Sequence, residues 1–229
     1  MLRRFEIYTL REDAPPDRLQ RLEEAFRSCG QFIPEVNHSV VGKNLSDQPI
    51  HMVWEHSYDS PEAYQRYMIH PFHANVLDRY LLNDSPERVV TNSPLGDGVL
   101  VGYSCEEPIY YMKEGVRKVV LFGLSGPDAD SQRAGFIASL RKLADSEKGV
   151  LLSVVEPNTM GIAWFDGVTP ILPPSRWTHI WELGFESLDA YHAYQEGGSQ
   201  LARSENDGWT GEGRGVVSQA VELHYRVEL

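Results

Sequence analysis

An internal repeat constrains this chain more than any other feature. Residues 53–67 read Val-Trp-Glu-His-Ser-Tyr-Asp-Ser-Pro-Glu-Ala-Tyr-Gln-Arg-Tyr, and residues 180–194 read Ile-Trp-Glu-Leu-Gly-Phe-Glu-Ser-Leu-Asp-Ala-Tyr-His-Ala-Tyr. Aligned without a gap, they share Trp-Glu, an aromatic, an acid, Ser, a second acid, Ala and two Tyr. A coincidence that includes a Trp and two Tyr is improbable by chance, so the chain reads as two copies of one unit of about 110 residues, an ordinary domain size. The division falls near residue 108, giving units 1–108 and 109–229.

Each copy parses into the same elements. In the first, residues 4–10 alternate as a strand. Pro15-Pro16-Asp17 opens a helix running to Phe26, with Leu19, Leu22, Ala25 and Phe26 on one apolar face, and Gly30 is the expected stop. Residues 35–41 and 50–58 read as strands. Ser60-Pro61-Glu62 supplies an N-cap and a proline at the first helical position of a second helix. A closing strand falls at residues 88–91 or 99–103. The second copy repeats the order with strands at 117–124, 150–155, 177–185 and 219–227 and helices at 130–144 and 187–195. The order β-α-β-β-α-β predicts an α+β chain of two tandem ferredoxin-like units. Such a unit has helices on one sheet face only, so the two units are expected to pack sheet on sheet as an intramolecular barrel. Residues 157–176, with four prolines, form a long loop between the middle strands of the second copy.

Composition narrows the partners. The chain of 229 residues carries 21 Lys+Arg against 33 Asp+Glu, a formal charge of −12, which disfavours nucleic acid and anionic membrane. No run of eighteen apolar residues is present for a membrane span. Arg3, Arg4 and Glu6 interrupt the start, so no signal peptide is expected, and Cys29 and Cys105 cannot make a disulfide framework. The expected setting is cytoplasmic, and the expected partner is a small-molecule substrate. The units would form a self-contained pseudo-dimer, open to further homodimerisation.

The most specific string is Tyr67-Met68-Ile69-His70-Pro71-Phe72-His73, followed by Asp78 and Tyr80. Together with Val41-Gly42-Lys43-Asn44, and with Thr178-His179-Ile180 ahead of Glu182, it resembles the stress-responsive dimeric α/β-barrel (Dabb) family, and within it the cofactor-free polyketide cyclases. Carried over residue by residue, the resemblance implies His73 and Tyr67 as the catalytic pair. The family's strand-three histidine falls on His179 in the second half and on Met52 in the first, with His51 one residue away and His56 on the parity of Met52 and Trp54. A one-residue slip in a strand reverses the face, so His51 would need a bulge to reach a pocket that His56 reaches directly. Phe5 stands where the family has a strand-one histidine, and Phe26 where it has a tyrosine. Trp54, His70 and Tyr80 complete the candidate substrate-binding set. The second half keeps Tyr194 but has Gly197 and Gln200 where His70 and His73 would sit, which makes it a structural partner.

A Tyr and a His in an apolar cavity can move protons without a cofactor, because desolvation keeps the imidazole neutral and ready to act as a base. The expected function is a cofactor-independent lyase, cyclase or dehydratase acting on an apolar carbonyl, polyketide-like or phenolic compound. Two alternatives use the same pocket: a non-catalytic small-molecule-binding stress protein, and a cofactor-free oxygenase of phenols. The plainer reading of His70-Pro71-Phe72-His73 is a helix-ending bend whose imidazoles cap carbonyls. No cofactor and no metal site is expected, since two His three apart around a Pro are not a helical ligand pair. His38, His192 and His224 read as surface side chains.

Overall fold

The computed structural model describes residues 1–45, 51–91, 99–106, 111–124, 129–142, 145, 147–160, 177–197 and 217–228. Most of the 157–176 loop, Trp164, Trp209 and the glycine-rich segments at 96–98 and 211–215 lie outside them. The chain divides into two compact units, one built on Met1–Tyr111 and the other on Met112–Leu229, with Thr159 and Met160 joining the first.

The first unit runs β1 (Leu2–Tyr8), α1 (Pro16–Phe32), β2 (His38–Lys43), β3 (Met52–Tyr58), α2 (Pro61–Met68), one π-helical turn (His73–Leu77), α3 (Asp78–Leu81) and β4 (Val99–Ser104). Its sheet has the antiparallel order β2-β3-β1-β4. The second unit repeats this with β5 (Glu114–Leu124), α4 (Ala129–Arg141), β6 (Val150–Pro157), β7 (His179–Phe185), α5 (Leu188–Gly197) and β8 (Val217–Glu228), in the order β6-β7-β5-β8. Both are ferredoxin-like α+β units, as the repeat predicts.

The closing strand of the first unit is Val99–Ser104, while residues 88–91 contribute only an isolated bridge from Val90 to Leu10. α1 also continues past Gly30. A side chain there would come within 3.0 Å of the Val36 carbonyl, so Gly30 lets the returning chain pass close by and does not end the helix. The N-caps behave alike in the two units: Ser60 accepts from the Ala63 amide at 3.2 Å and Ser187 from the Ala190 amide at 3.1 Å.

Two further repeats tie helix to sheet. Trp54 donates its indole N–H to Ser39 at 2.8 Å, and Ser39 donates to the Phe26 carbonyl. Trp181 donates to Ser153 at 3.0 Å, and Ser153 to the Leu140 carbonyl. The helix-side core of the first unit gathers Leu22, Phe26, Cys29, Trp54, Tyr58, Tyr64, Tyr67 and Leu77; that of the second gathers Phe122, Phe136, Leu140, Trp181, Phe185, Tyr191 and Tyr194.

Every residue of β1 and β3 is buried, so both faces of the first sheet are closed to solvent. The face away from the helices holds an ion pair of fully buried Arg3 and Glu55, with the His38 ring 3.0 Å from Glu55. His38 is thus a core residue and not a surface one, because Glu55 opposite β2 draws it inward. β5 and β7 repeat the pair as Arg117–Glu182, 3.1 Å apart and also fully buried. Met160 packs into the first core beside Gly102, where a side chain would lie 2.5 Å from the Met160 Cγ.

Candidate functional site

The helix side of the first sheet carries a polar cluster inside an aromatic shell. β1 places Arg4, Glu6 and Tyr8 on this face, and β3 places Trp54, His56 and Tyr58 beside them. Above lie Tyr64 and Tyr67 from α2 and His73 at the start of the π-helical turn. A single π turn inserts one extra residue per turn and re-aims its side chains, a feature frequent at functional sites. Here it carries His73 inward and leaves its neighbour Ala74 exposed.

Glu6 is the hub. Its carboxylate accepts from the Tyr8 hydroxyl and pairs with Arg4 at 2.9 Å. The His56 Nε2 lies 3.3 Å away, near enough to feel the charge but off the line of a hydrogen bond. The other nitrogen of that ring, Nδ1, is 2.7 Å from the Tyr58 hydroxyl, which sets Tyr58, His56 and Glu6 in one row. The His56 ring stacks flat on Trp54 at 4.0 Å, and Trp54 stacks on Phe26 at 4.0 Å. The Arg4 guanidinium sits 4.9 Å from the centre of the Tyr64 ring and 6.0 Å from that of Tyr67, a cation–π arrangement that holds the charge in an otherwise apolar setting.

Among the described residues, four buried polar atoms in this cluster have no hydrogen-bond partner: Arg4 Nε, His56 Nε2, the Tyr67 hydroxyl and His73 Nδ1. Buried polar groups normally find partners, so four such atoms in one cluster single it out as a candidate site. Tyr67 and His73 meet edge to face with ring centres 4.4 Å apart. The Asp78 carboxylate approaches His73 Nδ1 at 3.8 Å.

The electrostatics follow from burial and from the Arg4–Glu6 pair. Burial alone would raise Glu6, but the Arg4 cation, the contact with His56 and the Tyr8 hydroxyl hold it at about 2. Burial lowers His56 to about 4 and, helped by the Arg4 charge, lowers His73 to about 4 as well. Both imidazoles are therefore neutral at physiological pH. Burial, with the Glu6 charge behind it, raises Asp78 to about 6. The Tyr8, Tyr58 and Tyr67 phenols are pushed well above their ordinary value by burial, so each stays protonated.

The structure thus brings together His73, Tyr67, His56, Trp54 and Phe26, with Tyr80 in the same core. It separates the remaining expected residues. Phe5 lies on the opposite face of β1, beside Arg3, whose guanidinium is 5.3 Å from its ring. The residue on the helix-side face is its neighbour Arg4. β3 pairs with β1 without a bulge, so His51 stays exposed at the strand end, where its Nδ1 accepts the Leu10 amide at 2.8 Å. His70 closes the bend, with its Nδ1 accepting the Phe72 amide at 3.1 Å. His179 belongs to the second unit, half-buried on the helix side of β7 with its Nδ1 3.0 Å from the Thr178 hydroxyl.

Sequence reasoning missed Arg4, Glu6, Tyr8 and Tyr58, and named Asp78 only as part of the string after His73. The available signal was Arg-Arg-x-Glu inside a central strand: charges there have to be paired, because leaving one alone in a core costs several kcal/mol.

Among the described residues no helix is long and apolar enough to cross a membrane. In comparison with known proteins, residues 2–91 match the model of the Stress responsive A/B Barrel Domain (Dabb) family. No curated protein matches the chain in sequence. Among solved structures, an anthrone oxidase-like protein aligns over 100% of this chain and 91% of its own, at 14% identity and a TM-score of 0.61. A chlorite dismutase mutant from Candidatus Nitrospira defluvii aligns over 100% and 91%, at 13% identity and a TM-score of 0.58. At such identities these two likenesses concern the fold.

Proposed function

We propose, from the match of residues 2–91 to the Stress responsive A/B Barrel Domain (Dabb) model, that the helix-side cluster of this unit is a cofactor-independent acid–base site for a small, mostly apolar carbonyl or phenolic compound. The observation that carries this reading is the buried pair of unpartnered groups, the Tyr67 hydroxyl and His73 Nδ1, set side by side above an Arg4–Glu6 pair.

In this reading His73, neutral because it is buried, takes a proton next to a carbonyl. Charge then develops on the carbonyl oxygen, where the Tyr67 O–H donates and the Arg4 cation stabilises the enolate. Asp78, beside the same imidazole, stabilises the imidazolium until the proton is returned. Tyr58, His56 and Glu6 hold Arg4 and the floor of the site in one arrangement. The reaction class is enolisation, aldol-type closure, dehydration or decarboxylation.

The test incubates wild type and the Tyr67→Phe, His73→Ala double variant with a metabolite extract and no added cofactor. A mass converted by wild type alone supports the assignment and names the reaction, whereas equal conversion by both removes these residues from the chemistry. A second reading, oxidation of a phenol by O2 at the same cluster, draws on the name of the full-length neighbour, an anthrone oxidase-like protein. Oxygen uptake with a quinol would select it.

A further inference from the structure

The second unit keeps Tyr191 and Tyr194 where the first has Tyr64 and Tyr67, but lacks most of the polar side chains that β1 and β3 place on the helix side. Strand register places Val120 where the first unit has Glu6, Phe122 where it has Tyr8, Leu183 where it has His56 and Phe185 where it has Tyr58. One charge survives: Lys118 stands at the position of Arg4 and is as buried. An apolar residue there would suit a scaffold better, because replacing a buried ion pair by well-packed apolar groups is often neutral or stabilising.

A carboxylate, an imidazole and a phenol reassemble around Lys118 from other elements. Glu222 and His224 come from β8, at positions matching Leu100 and Gly102 of β4. Tyr191 comes from α5. Lys118 Nζ lies 3.3 Å from Glu222 Oε2, and the His224 Nε2 lies 3.4 Å from the same oxygen. His224 Nδ1 meets the Tyr191 hydroxyl, which also accepts from Gln195 at 2.7 Å. This is the first unit's order of groups (phenol, imidazole, carboxylate, cation), built from different residues. His224 is accordingly a buried member of a cluster and not the surface residue its strand position suggests.

The two clusters differ in access. Arg4, Glu6, His56 and Tyr58 are sealed, whereas the Glu222 side chain is 24% exposed. Among the described residues no donor is paired with its Oε1.

We propose that the second unit holds its own small-molecule site, in which Glu222, backed by Lys118, His224 and Tyr191, receives the hydroxyl of a phenol. A partly exposed carboxylate can take a further hydrogen-bond donor. The Lys118–Glu222 pair carries no net charge, so it favours neither a full cation nor an anion. The matching partner is a neutral, acidic O–H, which gives a stronger hydrogen bond to an ionised acceptor than an ordinary alcohol does. Trp181 and Tyr194, whose ring centres lie 5.8 and 5.7 Å from Lys118 Nζ, are the apolar surroundings. Burial alone would raise Glu222, but the His224 and Lys118 contacts hold it below its usual value, so it is ionised and ready to accept.

The experiment titrates the full chain with para-nitrophenol at pH 6, following its absorption band and the ring-nitrogen resonances of 15N-labelled histidines. The expected result is saturable binding that shifts the His224 resonances, persists in the Tyr67→Phe, His73→Ala variant and weakens at least about tenfold in Glu222→Gln. Lys118→Met is the second variant, expected to weaken binding likewise. Absence of saturation, His224 resonances unmoved at saturation, or loss of binding in the first-unit variant each overturns the proposal. The His224 readout is made on wild type, so it stands even where Glu222→Gln fails to fold.

Discussion

Arg4 in the first unit and Lys118 in the second occupy one position of the same fold, and each is neutralised by a carboxylate from a different place. In the first unit the partner is Glu6, two residues along the same strand; in the second it is Glu222 on the closing strand. By contrast, the ion pair on the other sheet face, Arg3–Glu55 and Arg117–Glu182, uses matching residues in both units. A buried cation dictates that a carboxylate be near it, but any strand within reach can supply one. Aligning motifs therefore finds the repeated pair and overlooks the rebuilt one.

The largest test of this equivalence is stability. Glu55→Ala and Glu182→Ala each take the paired carboxylate away from a fully buried arginine, and each is expected to cost about 3–5 kcal/mol in urea unfolding. A loss below about 1 kcal/mol for Glu182→Ala alone would break the symmetry between the units.

Activity should divide the units in the opposite way. Tyr67→Phe and His73→Ala are expected to lower first-unit turnover by about 10²–10⁴-fold. Tyr194→Phe, the matching change in the second unit, should leave that turnover unaltered. The pH profile sharpens this. His73 is neutral above about 4 and Asp78 is ionised only above about 6, so kcat/KM should fall partly near pH 6, as Asp78 is protonated, and fully near pH 4, as His73 is protonated. A kcat/KM that persists below pH 4 would take His73 out of the base role.

Stability should share the same origin. His56 and His73 are held at about 4 in the folded chain and titrate near 6.5 when unfolded. Between those values the unfolded chain binds more protons, so their contribution is complete above about pH 6.5 and is lost as pH falls through 4. The urea midpoint should drop over that window, and less so in His73→Gln.

Smaller effects are expected where the units coincide. Ser39→Ala and Ser153→Ala each leave a buried indole N–H without its acceptor, at about 1–3 kcal/mol each. Ser60→Ala and Ser187→Ala remove matching N-caps, at about 1 kcal/mol each. A difference within either pair beyond the error of unfolding curves would show that the repeat is not energetically equivalent there.

What the sequence determined alone is what short-range physics governs. The repeated Trp-Glu and Tyr positions implied two units, the order of periodic segments implied the ferredoxin-like topology, and Ser60-Pro61 marked a helix start by its own capping chemistry. Tyr67 and His73 were legible because both lie on one local stretch of α2 and the turn after it. The register of β1, by contrast, was decided by tertiary structure. All seven of its residues are buried, so no alternation of polar and apolar side chains marks which face meets the helices, and Phe5 was assigned where Arg4 belongs. His51 likewise fell outside because β3 pairs without a bulge, a matter of interstrand hydrogen bonds. Glu6 and Glu222 became partners of buried cations only once strands distant in sequence were laid side by side. An electrostatic requirement is met through space, and the order of residues along the chain does not record which strand will meet it.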